Sequence, residues 1–122
     1  MNDIRKIFRS FRLAGKGLCH AYASDKSFRM EIDYGLPVYI LVGLLLRPFQ
    51  SWELLLFIFS YLFILVVELV NTAFEKMLDR LHPEKHELIG KSKDIASAAV
   101  FVAFIFSAIV VITLVALRYP YA

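Results

Sequence analysis

Three apolar runs dominate the pattern of hydrophobic and polar positions along the chain. Residues 95–117 are 23 consecutive positions without a charge, which as a helix extend roughly 35 Å, enough to cross a bilayer. Residues 54–74 form a similar run if Glu68 is accepted near the membrane boundary. Residues 34–46 give 13 uncharged positions, with Pro37 where the first helical turn tolerates proline. The pattern therefore predicts three transmembrane helices, at 33–47, 52–80 and 94–118.

The first 30 residues follow the helical period instead of a continuous apolar run. Within residues 4–22, one face carries Ile4, Ile7, Phe8, Phe11, Leu18 and Tyr22, and the other carries Arg5, Arg9, Arg12 and Lys16. A soluble core would give the same pattern, but no other segment supplies one. We expect a basic amphipathic helix in the membrane interface, joined to the first span by residues 23–33.

The composition supports a membrane protein. Of the 122 residues, 59% are hydrophobic, and the mean hydropathy of +0.63 exceeds what a soluble domain of this size needs. The predicted fold class is an all-α membrane protein with a single domain, 1–122, in which an N-terminal surface helix and linker, 1–30, precede three transmembrane helices. No cleavable signal peptide is expected, because no apolar core precedes residue 30. Cys19 is the only cysteine, so no internal disulfide can form.

The cations are distributed unevenly. Seven Lys and Arg precede the first span and five lie between the second and third, whereas Arg47 and Arg118 alone remain for the other side. The positive-inside rule places the N-terminus and the loop at 80–92 in the cytoplasm. Residues 47–51 and 118–122 would then face outward, with Trp52, Tyr119 and Tyr121 at the outer interface. The net charge of +3 suits an anionic membrane surface, and nothing points to nucleic acid.

A stripe of carboxylates runs down the second span. No Pro or Gly interrupts residues 49–81, and at about 100° per residue Glu68, Glu75 and Asp79 fall within roughly 40° of one another. Asn71 and Thr72 flank them. A Glu in an apolar run costs roughly 2.5 kcal/mol or more in the membrane without a partner or a wet cavity. Acids one or two turns apart also repel each other unless a divalent metal or a downstream lysine lies between them. The alternative is that Glu68 and Asn71 only join helices by hydrogen bonds.

The segments on either side of this stripe carry weaker signals. Pro83 should end the helix, and Asp94 is expected to be the N-cap of the last span. Gly90-Lys91-Ser92 lacks the preceding glycine and strand of a phosphate-binding loop. The His82 and His86 pair is a weak zinc signal. The acids near the membrane surface before the first span, which are Asp25, Glu31 and Asp33, are equally compatible with solvated linker charges.

Several of these segments together resemble the bacterial membrane-integral diacylglycerol kinase family, which includes undecaprenol kinases. The resemblance lies in Glu68-Leu69-Val70-Asn71-Thr72-Ala73-Phe74-Glu75, Asp79-Arg80, Glu84-Lys85-His86-Glu87-Leu88 and Lys93-Asp94-Ile95-Ala96-Ser97-Ala98-Ala99-Val100. Upstream it continues through Lys16-Gly17-Leu18 and Phe28-Arg29-Met30-Glu31. It covers most of the chain, from about residue 5 to residue 117.

The resemblance implies a homotrimer in the bacterial inner membrane that transfers the γ-phosphate of MgATP to diacylglycerol and yields phosphatidic acid. It implies Glu68 as the general base and Asp25 with Glu75 as Mg²⁺ ligands. The implied nucleotide-binding residues are Asp25, Glu75, Glu84, Lys85, His86, Lys93 and Asp94. The implied substrate-binding residues are Lys6, Ser27, Phe28, Arg29, Met30, Glu31, Glu68, Asn71 and Ser97.

Three positions depart from the family pattern. Asp25 stands where the family more often has Glu, which shortens a proposed metal ligand by one methylene. Gly15 replaces a common Trp, and Leu13 stands where a Tyr near the nucleotide is often found. These departures bear on metal placement and on nucleotide contacts from the N-terminal helix.

Two other functions remain open from the sequence. Undecaprenol kinases share the architecture and the catalytic residues; Ser97 and the small residues around it favour the diacylglycerol branch weakly. A small proton-coupled exporter would also carry an intramembrane Glu, but such chains usually have four spans with the Glu in the first. A non-catalytic subunit that packs through its small-residue helix is a third reading, and it would not respond to ATP.

Overall fold

The structure is a computed structural model that describes residues 2–120, and nearly all of these residues are helical. In chain order they form α1 (Asp3–Ser24), α2 (Lys26–Met30), a π-helical turn (Glu31–Gly35), α3 (Leu36–Leu46), α4 (Ser51–Leu81) and α5 (Glu87–Arg118). The part of the chain described contains no strand, so the predicted all-α class is confirmed. Tyr121, predicted at the outer interface, lies outside the described residues.

Helices α4 and α5 are both long and apolar enough to cross a membrane. Helix α4 has 31 residues, about 46 Å at 1.5 Å per residue, so it is longer than the roughly 30 Å of hydrocarbon in a bilayer. It ends at Leu81, two residues before Pro83, as predicted. The surplus length lets one end of α4 carry acids beyond the apolar layer.

The start of α5 corrects one prediction. The helix begins at Glu87, and its N-cap is His86, whose Nδ1 accepts the Leu88 N–H at 3.1 Å. Asp94 lies inside the helix, so its prediction as the N-cap is wrong. A cap satisfies the free N–H groups of a first turn, and His86 already does so immediately after the break at Pro83.

The segment predicted as a linker is helical. Only Asp25 separates α1 from α2, and α2, the π-helical turn and α3 follow one another with helical backbone angles at both junctions. The π-helical turn lies just before Pro37, whose ring would clash with the carbonyl four residues earlier in a regular α-helix. Residues 26–46 are therefore one continuous helical segment.

The hydrophobic core lies between α3, α4 and α5. Buried residues Leu46, Phe57, Val110 and Leu114 form its centre. Gly43 lets α3 approach α4 closely, because a Cβ at this position would lie 3.0 Å from the Phe57 ring. Burial of these apolar side chains places the acid-bearing end of α4 at a fixed distance from α5.

Three hydroxyl groups join the same helices inside the bundle. The Tyr39 hydroxyl lies 2.9 Å from Ser107 Oγ of α5 and hydrogen bonds with Ser60 Oγ of α4. Ser60 also donates to the Phe57 carbonyl at 2.8 Å. Tyr39 stacks on Phe57 with the ring centroids 4.4 Å apart. These contacts fix α3 against both long helices.

Arg118 closes the opposite end of the bundle. Its Nη1 lies 2.7 Å from a Glu53 carboxylate oxygen, its Nη2 donates to the Pro48 carbonyl at 2.9 Å, and its Nε donates to the Leu46 carbonyl. The guanidinium also lies over the Phe49 ring, 5.2 Å from the centroid. A single side chain thus joins the ends of α3, α4 and α5.

The C-terminal half of helix α1 shares a groove with α4, where Leu18 and Ala21 face Leu69 and Thr72, whereas its N-terminal half extends away from the bundle. Its apolar face is exposed, with Phe8 and Phe11 more than 70% accessible. Near its C-terminal end the Tyr22 hydroxyl donates to an Asp33 carboxylate oxygen at 2.8 Å. This hydrogen bond, together with the nearby negative charge, raises the pKa of Tyr22 above its ordinary value. The contact ties α1 to the start of the segment that leads into α3.

Candidate active site

Glu68 is the centre of an acidic cluster at one end of the bundle. Its side chain is 3% exposed, and none of the ion pairs among residues 2–120 includes it. Asp25, Glu31 and Glu75 lie close enough for their negative charges to act on it. A buried carboxylate that has acidic neighbours and no cation beside it costs free energy to keep ionised. Such an arrangement is typical of a functional site.

Asp25 reaches this cluster from the corner between α1 and α2. One carboxylate oxygen accepts the Ser27 N–H at 3.0 Å, as the N-cap of α2, and the other accepts the Thr72 hydroxyl of α4. The Asp25 N–H donates to the Ala21 carbonyl at 2.8 Å, at the end of α1. The chain folds this way because an Asp satisfies the free N–H groups of a helix start.

Glu31 is joined to α4 through its backbone carbonyl. Its carbonyl accepts the Tyr61 hydroxyl at 2.8 Å, which brings the π-helical turn against α4. Tyr61 is 6% exposed. The structure therefore brings Asp25, Glu31, Glu68 and Glu75 together from two different parts of the chain.

Asn71 faces a groove between α4 and α5. Its Oδ1 is buried and has no hydrogen-bond partner among the described residues. The groove has a volume of about 350 Å³ and is otherwise lined mainly by apolar side chains, including Val67, Phe74 and Ile95. A buried amide oxygen without a donor costs free energy, and the Asn71 side chain is one of the few polar groups that line this apolar groove.

Lys93 of α5 meets the far end of the acid stripe. Its Nζ forms an ion pair with Asp79 Oδ1. The Lys93 side chain is 34% exposed and the Asp79 side chain is 64% exposed. A pair this exposed adds little stability, so an anionic ligand can compete for the ammonium. A downstream lysine thus pairs with the last acid of the stripe, whereas none of the ion pairs among residues 2–120 includes Glu68 or Glu75.

The loop between α4 and α5 forms an open polar groove. Glu84, Lys85 and His86 line it together with Asp79 and Lys93, and its volume is about 420 Å³. The loop residues themselves are exposed. The groove adjoins the acid stripe at Asp79 and carries both acids and lysines. Lys85 and Lys93 lie there beside the start of α5, where the helix dipole favours anions.

The predicted lipid contacts are more scattered. Phe28 is 3% exposed, whereas Met30 is open. Arg29 Nη1 lies near the carbonyls at the end of α1, 3.4 Å from that of Ala23. The exposed lipid-contact candidates Lys6 and Ser97 make no hydrogen bond or ion pair with the acidic cluster in the part of the chain that the structure describes. The same holds for Asp94, an exposed candidate for nucleotide binding.

Two residues of this site were not predicted to act in it. Thr72 and Tyr61 both donate from α4 to the segment before α3. Thr72 flanks the stripe in the sequence, one turn after Glu68, so its spacing could have indicated that it lies on the acidic face. Nothing in the sequence indicates its partner, because Asp25 is 47 positions away.

The carboxylates of this site fit Mg²⁺ only if substrate phosphates and waters complete the coordination of the ion. No three His, Cys, Asp or Glu side chains among residues 2–120 converge into a metal site. Mg²⁺, however, is commonly held by one or two carboxylates plus substrate phosphates and waters. Asp25 and Glu75 are two carboxylates of this kind, and the charges of both act on Glu68.

Comparisons with known proteins agree on one family. A family model described as prokaryotic diacylglycerol kinase matches residues 12–115. A diacylglycerol kinase of Helicobacter pylori (strain J99) is 32% identical over 106 residues, 87% of this chain and 81% of the relative. A diacylglycerol kinase of Escherichia coli (strain K12) is 32% identical over 107 residues, 85% of this chain and 84% of the relative. An undecaprenol kinase of Bacillus subtilis is 28% identical over 109 residues, 89% of this chain and 87% of the relative.

Proposed function

The chain belongs to the prokaryotic diacylglycerol kinase family, and on this basis we propose that it transfers the γ-phosphate of MgATP to the primary hydroxyl of diacylglycerol. The product is phosphatidic acid. The observation that carries the proposal is the buried Glu68 with the charges of Asp25, Glu31 and Glu75 acting on it. On the same helix, Val67 and Asn71 line an apolar groove, and Asp79 lines a polar groove further along.

Glu68 acts as the general base in this mechanism. Its carboxylate accepts the proton of the lipid hydroxyl as that oxygen bonds to the γ-phosphorus and the bond to the β–γ bridging oxygen breaks, releasing ADP. Glu75 lies seven residues, or roughly 10 Å, further along α4. A lipid from the apolar layer can therefore meet a phosphate from the water at Glu68. Asn71 in the apolar groove binds the lipid headgroup through its amide.

The polar groove binds the nucleotide. Lys93 contacts phosphate oxygens in place of Asp79, and Asp94 lies beside it. The loop residues Glu84, Lys85 and His86 contact the remainder of the nucleotide. Asp25 and Glu75 hold the Mg²⁺, which supplies neutralisation of the phosphate charge. The further lipid contacts are Lys6, Ser27, Phe28, Arg29, Met30, Glu31 and Ser97.

The membrane arrangement has three crossings per subunit. The first crossing, predicted at 33–47, is supported by the continuous helical segment 26–46, whose 21 residues extend about 31 Å. Helix α1 lies in the interface, an arrangement that its exposed apolar face supports. The cation distribution supports a cytoplasmic N-terminus and 80–92 loop in the bacterial inner membrane. The subunits assemble as a homotrimer.

Undecaprenol kinase is the second candidate activity. It is favoured by the similarity to the Bacillus subtilis protein that bears this name. The chemistry is the same, because a polyprenyl alcohol presents a primary hydroxyl to the same base. The two candidates differ in what carries the hydroxyl, which is a glycerol diester in one acceptor and a single polyprenyl chain in the other.

Phosphate transfer from γ-labelled MgATP in mixed micelles tests both candidates. Diacylglycerol and undecaprenol are offered side by side, with Glu68→Gln as the inactive control. We expect label in phosphatidic acid with the wild type and none with the variant. Label only in the polyprenyl lipid would assign the second activity, and no label in either lipid would refute the kinase proposal.

A further inference from the structure

Asp25 is the hinge residue between the surface helix and the bundle. Its backbone angles are extended (φ −109°, ψ 111°), and it is the single non-helical residue between α1 and α2. Its N–H closes the end of α1, and its side chain caps the start of α2. Without a further contact, the direction of its carboxylate would depend only on this short corner.

Thr72 supplies that further contact from α4. Its hydroxyl donates to the Asp25 carboxylate oxygen that does not cap α2. A helical hydroxyl usually donates to the carbonyl three or four residues earlier, and Ser10, Ser24 and Ser92 of this chain each donate to the carbonyl four residues before them. Thr72 instead donates across 47 positions of sequence.

The bond lies at a buried position. Thr72 is 8% exposed, and it stands between Glu68 and Glu75 on the acidic side of α4. A helical Thr has two common χ1 rotamers, and in this structure the hydroxyl takes the direction that reaches Asp25. Each Asp25 oxygen accepts one hydrogen bond, and a carboxylate oxygen has a second lone pair free for another ligand.

We infer that Thr72 is a positioning residue, which fixes the carboxylate of Asp25 in the orientation that binds the divalent cation. The inference rests on the proposed function, in which Asp25 and Glu75 hold Mg²⁺. The short side chain of Asp25 makes the orientation matter, because it has one fewer rotatable bond than Glu with which to reach the cation. A group that orients a metal ligand typically changes affinity by 10- to 100-fold when it is removed.

A purely structural role for Thr72 predicts something different. If the hydroxyl only fastened the α1–α2 corner to α4, its loss would lower the unfolding temperature and leave cation affinity unchanged. The readout must therefore report cation binding directly. Mn²⁺ serves as the probe, because it binds the oxygen ligands that Mg²⁺ uses and its free form gives an EPR signal.

The experiment uses the full chain in detergent micelles with a non-hydrolysable ATP analogue. Mn²⁺ is titrated into the wild type, Thr72→Val, Thr72→Ser and Ser107→Ala, and the Mg²⁺ activation constant is measured in parallel. Ser107→Ala is the matched control, because it removes another buried interhelical hydroxyl, 2.9 Å from Tyr39 and away from the acids. If Thr72→Val does not fold, Thr72→Ala carries the same prediction, since alanine also lacks the hydroxyl and favours a helix.

We expect Thr72→Val to weaken Mn²⁺ binding by roughly tenfold or more and to raise the Mg²⁺ activation constant similarly, while Thr72→Ser stays within about twofold of the wild type. Ser107→Ala should change stability only. Unchanged Mn²⁺ affinity in Thr72→Val, with an active wild type, would overturn the inference and leave the kinase proposal intact. A wild type that binds Mn²⁺ in a Thr72-dependent way but phosphorylates neither lipid would overturn the proposed function instead.

Discussion

Removal of the Tyr39 hydroxyl tests whether α3 belongs to the bundle as described. Tyr39→Phe keeps the ring, and therefore its stacking on Phe57, but deletes the contacts with Ser60 and Ser107. Interhelical hydrogen bonds in membrane proteins average about 0.6 kcal/mol and reach about 1.7 kcal/mol. Two such bonds give an expected loss of about 1.2 kcal/mol in the free energy of unfolding, roughly an eightfold change in the equilibrium constant.

The assay is reversible unfolding in mixed micelles with increasing SDS, followed by far-UV circular dichroism. Tyr34→Phe is the matched control, because Tyr34 is 69% exposed and its hydroxyl takes part in none of the hydrogen bonds found within residues 2–120. A double-mutant cycle of Tyr39→Phe with Ser107→Ala isolates one bond. Equal stability of Tyr39→Phe and Tyr34→Phe, with no coupling to Ser107, would refute the packing of α3 on α5.

Three further predictions concern the acid stripe and the hinge. Glu75→Gln should raise the Mg²⁺ concentration needed for half-maximal activity, and an unchanged Mg²⁺ dependence would remove Glu75 from the metal site. Lys93→Met should raise the KM for ATP roughly tenfold or more, because a charge-assisted phosphate contact is lost. Stability should change little, since the pair of Lys93 with Asp79 is exposed. An unchanged KM would refute the phosphate contact. The raised pKa of Tyr22 means that its bond to Asp33 persists below the ordinary tyrosine pKa and is lost as the pH rises through the raised value. Tyr22→Phe should therefore speed hydrogen exchange at the end of α1 at neutral pH, and wild-type rates would contradict this.

The periodicity of α4 was the most informative feature of the sequence. A 100° step placed Glu68, Glu75 and Asp79 on one face, and the absence of Pro and Gly predicted one long helix up to the break before Pro83. Both follow from local geometry, which a sequence records directly. The structure agrees on the helix and its end, and the charge of Glu75 acts on Glu68.

Helix starts were harder to predict from the sequence. Asp94 has the residue type of an N-cap, but His86 comes first after the break and its imidazole nitrogen accepts the bond. The polar segment around Gly90 reads as a loop, although its helix makes two i,i+4 contacts, including the Glu87–Lys91 pair at 3.1 Å. The acidic segment after Asp25 also resembles a linker in the sequence. Its helix depends on the Asp25 cap and on packing against α4, and the sequence pattern does not record the packing.

The partners of the acids depend on tertiary contacts. Asp25 and Thr72 are far apart in sequence, as are Asp79 and Lys93 in separate helices. No spacing rule relates such pairs, because the relative rotation and height of two helices follow from core packing. The sequence therefore supplied candidate residues for the chemistry, and the structure was needed to show which of them meet.

The most direct test of the account is the turnover of Glu68→Gln measured on folded protein. Wild type, Glu68→Gln and the exposed control Glu87→Gln are compared for phosphate transfer to diacylglycerol in the same micelles, after circular dichroism has established equal helicity. The account predicts a fall of roughly 100-fold or more for Glu68→Gln, as for loss of a general base, and near wild-type turnover for Glu87→Gln. Folded Glu68→Gln that retains more than about a tenth of wild-type turnover would contradict the assignment of Glu68 as the base.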